Sequence, residues 1–326
     1  MAFKIGNITI EKKVILAPMA GVTSFSYRNY YDGFKGLLKY TEMISDCGLI
    51  YDNKETNSLI YTDGNEHPLA LQLFGGDINN IVKAIRILES KNIDYDILDI
   101  NLACPVKKVT KTGAGSALLV DQEKLYDFMK TVCETSSKPV SCKVRLGYEE
   151  INIEQTVVTL EKAGVKFIAI HARTMKDLYS GTPKFEELKN IRDLIKIPFA
   201  ISGNIYSVND ALEALKVTRA DAVLVARGTI GNPKLVKNIL DAIEGIKYNE
   251  ELNFDEQCKY LLDFTDMLIK EKNEKRAISI LRGIAPRFFT NFPNSKQLRI
   301  NLAQNMNSYN DLINFINSYK DSSSSK

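Results

Sequence analysis

Long apolar runs, histidines and paired cysteines are all scarce in this chain, and each shortage removes a class of protein. No stretch approaches the roughly 18 consecutive apolar residues of a membrane span, so no membrane association is expected. The opening MAFKIGNITIEKK has no extended apolar core of the kind a signal peptide carries, which makes the protein an expected cytoplasmic one. The only histidines are His67 and His171, and none of the five cysteines (Cys47, Cys104, Cys133, Cys142, Cys258) forms a Cys-x-x-Cys pair. Neither a metal site nor a disulfide framework is therefore expected. A net charge of +3 over 326 residues is too small to define a nucleic-acid binder by itself, so where the charge sits matters more than its total.

What is present is a repeated alternation. Short β-branched runs occur at Val14–Met19, Leu37–Met43, Pro68–Gly75, Tyr95–Ala103, Pro139–Gly147, Lys166–Ala172, Ile197–Gly203 and Ala220–Gly228. Helical periodicity fills much of the space between them, at Ile78–Ser90, Glu123–Ser136, Ile153–Ala163, Phe185–Ile195 and Val208–Leu215. Eight such units predict a (β/α)8 TIM barrel. A doubly wound open sheet is the alternative, but it would gather its polar and Gly residues at one switch point. Here they fall at the carboxyl end of nearly every strand. FKIGNITIEKK reads as a hairpin covering the bottom of the barrel. From about residue 247 the strand signal stops, and Phe254–Lys272, Glu274–Ile284 and Ser295–Tyr319 read as helices. The expected organisation is a catalytic barrel over 1–246 and a small all-helical domain over 247–326, ending in a disordered DSSSSK tail.

Barrel chemistry sits at the carboxyl ends of the strands. Collected in order, those ends supply Pro18, Met19, Ala20 and Gly21; Gln72; Asn101 and Cys104; Lys143 and Arg145; His171 and Arg173; Ser202, Gly203 and Asn204; and Ala226, Arg227 and Gly228. The Ser-Gly-Asn after the seventh strand and the Ala-Arg-Gly after the eighth occupy the positions where such barrels bind phosphate, through backbone N–H groups and a helix N-terminus. Lys143 alternates with Cys142 and Val144 so as to point inward, and an interior lysine needs a partner. A free cysteine is usually a small buried hydrophobe, which suits Cys47, Cys133, Cys142 and Cys258. Cys104 differs. It ends a core strand and opens a Lys-, Thr- and Gly-rich loop, Val106–Gly115, where a thiol can serve as nucleophile or proton donor.

Seven stretches in order, APMAGVTSFSYR, LQLFGGD, DINLACPVKKVTKTGAGSALL, VSCKVRLGY, IAIHARTMKDLYSG, IPFAISGNIYS and ADAVLVARGTIGNP, together resemble the tRNA-dihydrouridine synthases, most closely the bacterial B-type branch. RAISILRGIAPRFFTNFPNSKQLR is similar, more loosely, to that family's helical domain. Ala103 and Ala226 stand where the family commonly has Gly. The resemblance implies an FMN-dependent barrel that reduces uridines of the tRNA D-loop to 5,6-dihydrouridine with NADPH as reductant. It implies that Pro18, Met19 and Ala20 line the flavin, that Gln72, Lys143 and His171 bond its ring edge, and that Ser202, Gly203, Asn204, Ala226 and Arg227 hold its phosphate. Cys104 becomes the proton donor to uracil, and the Val106–Gly115 loop a mobile cover for the base. Asn101, Arg145, Arg173, Lys107, Lys111, Arg276 and Arg282 are then the expected contacts to RNA. Residues 270–299 carry eight Lys and Arg against two Glu, a basic face suited to an RNA backbone. A monomer is expected. The rival readings are a synthase acting on ribosomal RNA, a small-molecule FMN dehydrogenase, a flavin-free sugar-phosphate barrel, and a non-catalytic RNA-binding barrel.

Overall fold

Eight parallel strands close on themselves: β1 (Val14–Leu16), β2 (Leu38–Tyr40), β3 (Leu69–Phe74), β4 (Ile97–Leu102), β5 (Val140–Arg145), β6 (Phe167–His171), β7 (Phe199–Ser202) and β8 (Ala222–Val225). Each pairs with its sequence neighbour, β8 pairs with β1, and β2 pairs with β3 to complete the ring. The expected (β/α)8 barrel is therefore the architecture, followed by a helical C-terminal region. The coordinates, a computed structural model, describe residues 2–324.

Period-two alternation divides each strand between two environments. One set of side chains, including Leu16, Leu71, Leu98, Ile100 and Val144, packs outward under the helices. Ile15, Leu38, Ala70, Ile97, Phe167, Ala200 and Ala222 form a separate inner cluster, closed from below by Ile5 and Ile10 of the Phe3–Ile5/Ile8–Ile10 hairpin. Ile5 and Ile10 are fully buried, worth about 2 kcal/mol each, and Phe3 stacks on Phe167 at 5.8 Å. This is the bottom cover that the sequence suggested.

The flanking helices start where side chains can cap them. Asp77 caps Ile78–Ser90, Asp121 caps Gln122–Thr135, and Ser207 with Asp210 forms a capping box at Val208–Thr218. In the first, Ile81, Ala84, Ile85 and Leu88 supply the buried stripe.

Two local expectations are corrected. Phe185–Ile195 is not one helix but two short pieces, Phe185–Leu188 and Ile191–Leu194. Ser295–Tyr319 is also broken. A helix over Lys296–Ile300 passes through a wide π turn at Asn301–Asn305, and a new helix, Tyr309–Ser324, starts at the Ser308/Asp311 cap. That helix runs through Ser324, and Ser325 and Lys326 of the expected tail lie outside the described residues.

The helical region is fastened to the barrel at the segments that follow β1 and β8, among other contacts. The Ser26 N–H and Oγ both donate to Glu271 Oε2, at 2.8 and 2.5 Å. Gln257, buried, donates through Nε2 to the carbonyls of Gly231 and Phe288. Among the described residues no helix is long and apolar enough to cross a membrane.

Candidate active site

The carboxyl ends of the strands surround a largely apolar cavity of about 440 Å³. Ala17–Ala20 form one wall, and Asn101 with Ala103–Val106 another. Lys143, Arg145 and His171 stand on the third side, and Ser202–Tyr206 with Ala226–Gly228 close the fourth.

The β1 loop is shaped by Thr23, whose hydroxyl accepts from Met19 N–H and donates to Met19 C=O. The Gly21 N–H donates to Glu42, a buried carboxyl that desolvation holds above its ordinary pKa. Cys104 is fixed from both sides of its peptide. Its N–H donates to Asn101 Oδ1 at 2.8 Å, and its carbonyl accepts from Ser116 N–H and Oγ. Gly115 (φ +61°) allows the returning chain to pass so close that a Cβ there would lie 2.8 Å from the Cys104 oxygen.

The electrostatics are strongly positive. The Lys143 ammonium makes no hydrogen bond or ion pair among the described residues. Desolvation pulls its pKa down to about 8, helped by Arg145 and opposed by Asp99. His171 is held well below its ordinary value by desolvation and by Lys143, Arg145, Arg173 and Arg227, so it is neutral near pH 7. Its Nδ1 lies 3.3 Å from Ser202 Oγ. Beneath Lys143, burial pushes the Asp99 carboxyl up to about 7, against the bonds from Ser141 and Gln72 that favour its ion.

The seventh and eighth loops meet as a cradle. Asn204 adopts a left-handed φ of +48°. A Cβ on Gly228 would lie 2.1 Å from the Ile205 carbonyl oxygen, so the loops touch only because Gly stands there. The N–H groups of Asn204, Arg227 and Gly228 have no acceptor among the described residues. The Arg227 guanidinium lies over the cradle between Tyr179 (5.3 Å) and Tyr206 (5.9 Å).

The structure thus gathers Cys104, Pro18, Met19, Ala20, Lys143, His171, Ser202, Gly203, Asn204, Ala226, Arg227, Asn101 and Arg145 around one cavity. Gln72 is elsewhere. It lies fully buried below the floor, its amide shared between Asp99 (2.7 Å) and Asn101 (2.9 Å). Arg173 is spent on the carbonyls of Ser180 and Gly181 and on Asn204. Arg145 lines the cavity, and its Nε and Nη1 donate to the carbonyls of Ala103, Thr174 and Leu178. Arg282 bonds Met306 C=O and Asn307, holding the broken helix rather than facing out, and Arg276 is exposed beside Glu55. Lys107 and Lys111 are exposed and outside the cavity. Within their loop, Lys107–Thr110 forms a helical turn.

Sequence reasoning missed Met43, Tyr179, Tyr206 and Ile205. Tyr179 and Tyr206 are aromatic residues exposed on βα loops, a signal that was there to be read. Met43 looks like core in any apolar strand.

A flavin-sized planar group fits these donors: apolar faces from Pro18 and Met19, an unpartnered ammonium at one edge, and an anion cradle at the other end. The fold and site therefore define a flavin-dependent oxidoreductase on a (β/α)8 barrel. The chain belongs to the dihydrouridine synthase family, whose model matches residues 15–323. It is 29% identical over 301 residues to a probable tRNA-dihydrouridine synthase of Rickettsia bellii, covering 91% of each chain. It is also 29% identical to tRNA-dihydrouridine synthase B of Pseudomonas syringae pv. tomato, covering 91% of this chain and 88% of that one. Among solved structures, an old yellow enzyme homologue from Zymomonas mobilis superposes with a TM-score of 0.51 at 14% identity, over 77% of this chain and 94% of that one. That likeness concerns the fold.

Proposed function

We propose that this chain reduces uridines of tRNA, at D-loop positions, to 5,6-dihydrouridine, with FMN bound in the cavity and NADPH as reductant. The observation that carries the reading is Cys104 held at the cavity wall in the same chamber as the unpartnered Lys143. Bound flavin supplies the hydride for uracil C6.

The residues of the chain do the rest. Cys104 delivers its thiol proton to uracil C5 as charge builds on the ring, which makes it a general acid. Asn101 fixes the cysteine through the Cys104 N–H. Lys143 offers positive charge at one edge of the cofactor, and the free N–H groups of the seventh and eighth loops with Arg227 take its phosphate. Ala17, Pro18, Met19 and Leu224 exclude water from the cofactor face. The target base must leave its stack to reach this depth. Exposed Lys270, Lys275, Arg276, Arg287 and Lys296 on the helical region give an RNA backbone a surface to follow. The protein works as a monomer in the cytoplasm.

The test is purified protein with NADPH and unmodified tRNA, read by visible spectrum and by mass spectrometry of nucleosides. Flavin bands and a gain of about two mass units on a D-loop uridine, one hydride and one proton, are expected. Cys104→Ala keeps its flavin and loses about 10²- to 10⁴-fold in rate. An Ala variant as fast as wild type removes the acid; flavin without any change in tRNA redirects the search to ribosomal RNA, then to small molecules.

A further inference from the structure

The floor of the cavity contains a polar layer that the proposed chemistry does not use. Gln72, Asp99 and Ser141 lie in register on β3, β4 and β5, all fully buried. Ser141 Oγ donates to Asp99 Oδ1 at 2.6 Å, and Gln72 Nε2 donates to Asp99 Oδ2 at 2.7 Å. Asn101 Nδ2 donates to Gln72 Oε1 at 2.9 Å, and Asn101 Oδ1 accepts from the N–H of Ala103 (3.1 Å) and Cys104 (2.8 Å).

This chain of bonds has a direction. An amide can be turned end for end at no cost in shape, so Gln72 and Asn101 alone would leave the polarity open. In its ionised form, the one that the bonds from Ser141 and Gln72 favour against burial, the carboxylate at one end only accepts, and the two backbone N–H groups at the other only donate. With both ends fixed, each amide has a single satisfied orientation. We infer that Asp99 is a positioning residue for Cys104: its carboxylate sets the direction of the Gln72 and Asn101 amides and so holds the turn that carries the thiol. The inference rests on the assignment of Cys104 as proton donor. It explains why a buried carboxyl is kept in a barrel floor where an apolar side chain would pack at lower cost.

Three roles for Asp99 separate by substitution. Packing alone is satisfied by Asp99→Leu. Negative charge under Lys143 is lost equally in Asp99→Leu and Asp99→Asn. Polarity survives only in Asp99→Asn, whose Oδ1 accepts from Gln72 while its Nδ2 donates to Ser141 Oγ. The experiment takes the flavin-loaded proteins and follows two readouts. One is alkylation of Cys104 by iodoacetamide, resolved by peptide mass spectrometry. The other is kcat and KM on unmodified tRNA.

In Asp99→Leu, alkylation is expected to rise about fivefold, the opening produced by losing one buried hydrogen bond. The kcat falls about 100-fold, the effect of a misplacement near 1 Å, with KM unchanged. Asp99→Asn returns both most of the way to wild type. Asp99→Asn as impaired as Asp99→Leu overturns the inference in favour of charge. Cys104 alkylation in Asp99→Leu at the wild-type rate overturns it outright. If Asp99→Leu does not fold, Gln72→Met cuts the same relay one link later and carries the same expectations. Alkylation reads the turn whether or not Cys104 is the acid, so failure of that assignment, seen as an active Cys104→Ala, is separate from failure of this one.

Discussion

Lys143 offers the most direct physical test of the site, because the structure assigns it a cost as well as a role. Its ammonium stands inside the barrel with no hydrogen-bond partner among the described residues, and its pKa falls from 10.5 to about 8 with desolvation as the main cause. That fall corresponds to ~3 kcal/mol of disfavoured charge. The cavity side of the lysine is open to water, so we take ~2 kcal/mol as the cost in flavin-free protein. Lys143→Met keeps the stem and removes the charge. The flavin-free variant should be more stable than wild type at pH 7 by that amount, about 4 °C in Tm for a chain of this size. Below pH 8 the lysine is charged in both folded and unfolded chains and the cost is complete. Between about 8 and 10.5 the folded protein sheds its proton first, so the gap closes as pH rises. The same variant should bind flavin poorly. Urea or thermal unfolding of flavin-free protein at pH 7 and pH 10, with flavin titration beside it, measures all three quantities. A variant less stable than wild type at pH 7 would refute the reasoning, since it would mean that Asp99 already neutralises the lysine.

The remaining predictions concern what holds the site together. Glu271→Ala strands the Ser26 N–H and hydroxyl, and should cost ~3 kcal/mol in urea unfolding; a value near zero would show that the helical region is held elsewhere. Gly228→Ala forces a Cβ against the Ile205 oxygen and parts the two loops, so flavin affinity should drop about tenfold with the fold intact by circular dichroism, as expected for overpacking at ~1–2 kcal/mol. Unchanged affinity would move the phosphate away from this cradle. His67, bonded through Nδ1 to Asp96 and through Nε2 to Asp94, has a raised pKa, chiefly from the Asp96 bond. Its contribution is present below about 6.5 and fades as pH climbs through the raised value; being half exposed, it is worth no more than ~0.5 kcal/mol. His67→Asn should lower Tm slightly at pH 5.5 and not at pH 8.5, and equal losses at both would exclude the ion pair.

The barrel was legible because each strand advertises its two faces. Ala70 and Gln72, or Ile97, Asp99 and Asn101, alternate with apolar residues that meet the helices, and that pattern survives into the folded packing. Depth was not legible. Gln72 and Lys143 both point inward, yet one lies beneath the cavity floor and the other in its wall, because their levels depend on the stagger between strands. Nor does a sequence reveal what a guanidinium bonds. Arg145 and Arg173 sit at strand ends like Arg227, but backbone carbonyls claim them. The break at Asn301–Asn305 did leave a trace, the Ser308-x-x-Asp311 cap of a new helix, which the i, i+4 apolar pairs Leu298/Leu302 and Leu312/Ile316 on either side concealed.

These assignments divide the cations of the site by chemistry. Arg145 and Arg173 use the rigid guanidinium fork to tie together loops that would otherwise move independently; Arg145 alone joins the carbonyls that follow β4 and β6. Their charge is permanent, and on top of desolvation both lower the proton affinity of His171, Arg145 that of Lys143 as well, while backbone carbonyls take Nε and Nη1 of Arg145 and Nε of Arg173. Lys143 is the complement, a flexible point charge whose protonation lies close to working pH and whose only large stabilisation would come from a partner brought in from outside. An arrangement that fixes its arginines and leaves its lysine unsatisfied holds part of its folding free energy in reserve for the bound state. On the proposed placement of the flavin beside Lys143, cofactor binding and barrel stability are linked through a single ammonium group, and flavin should raise the Tm of wild type more than that of any variant lacking the charge.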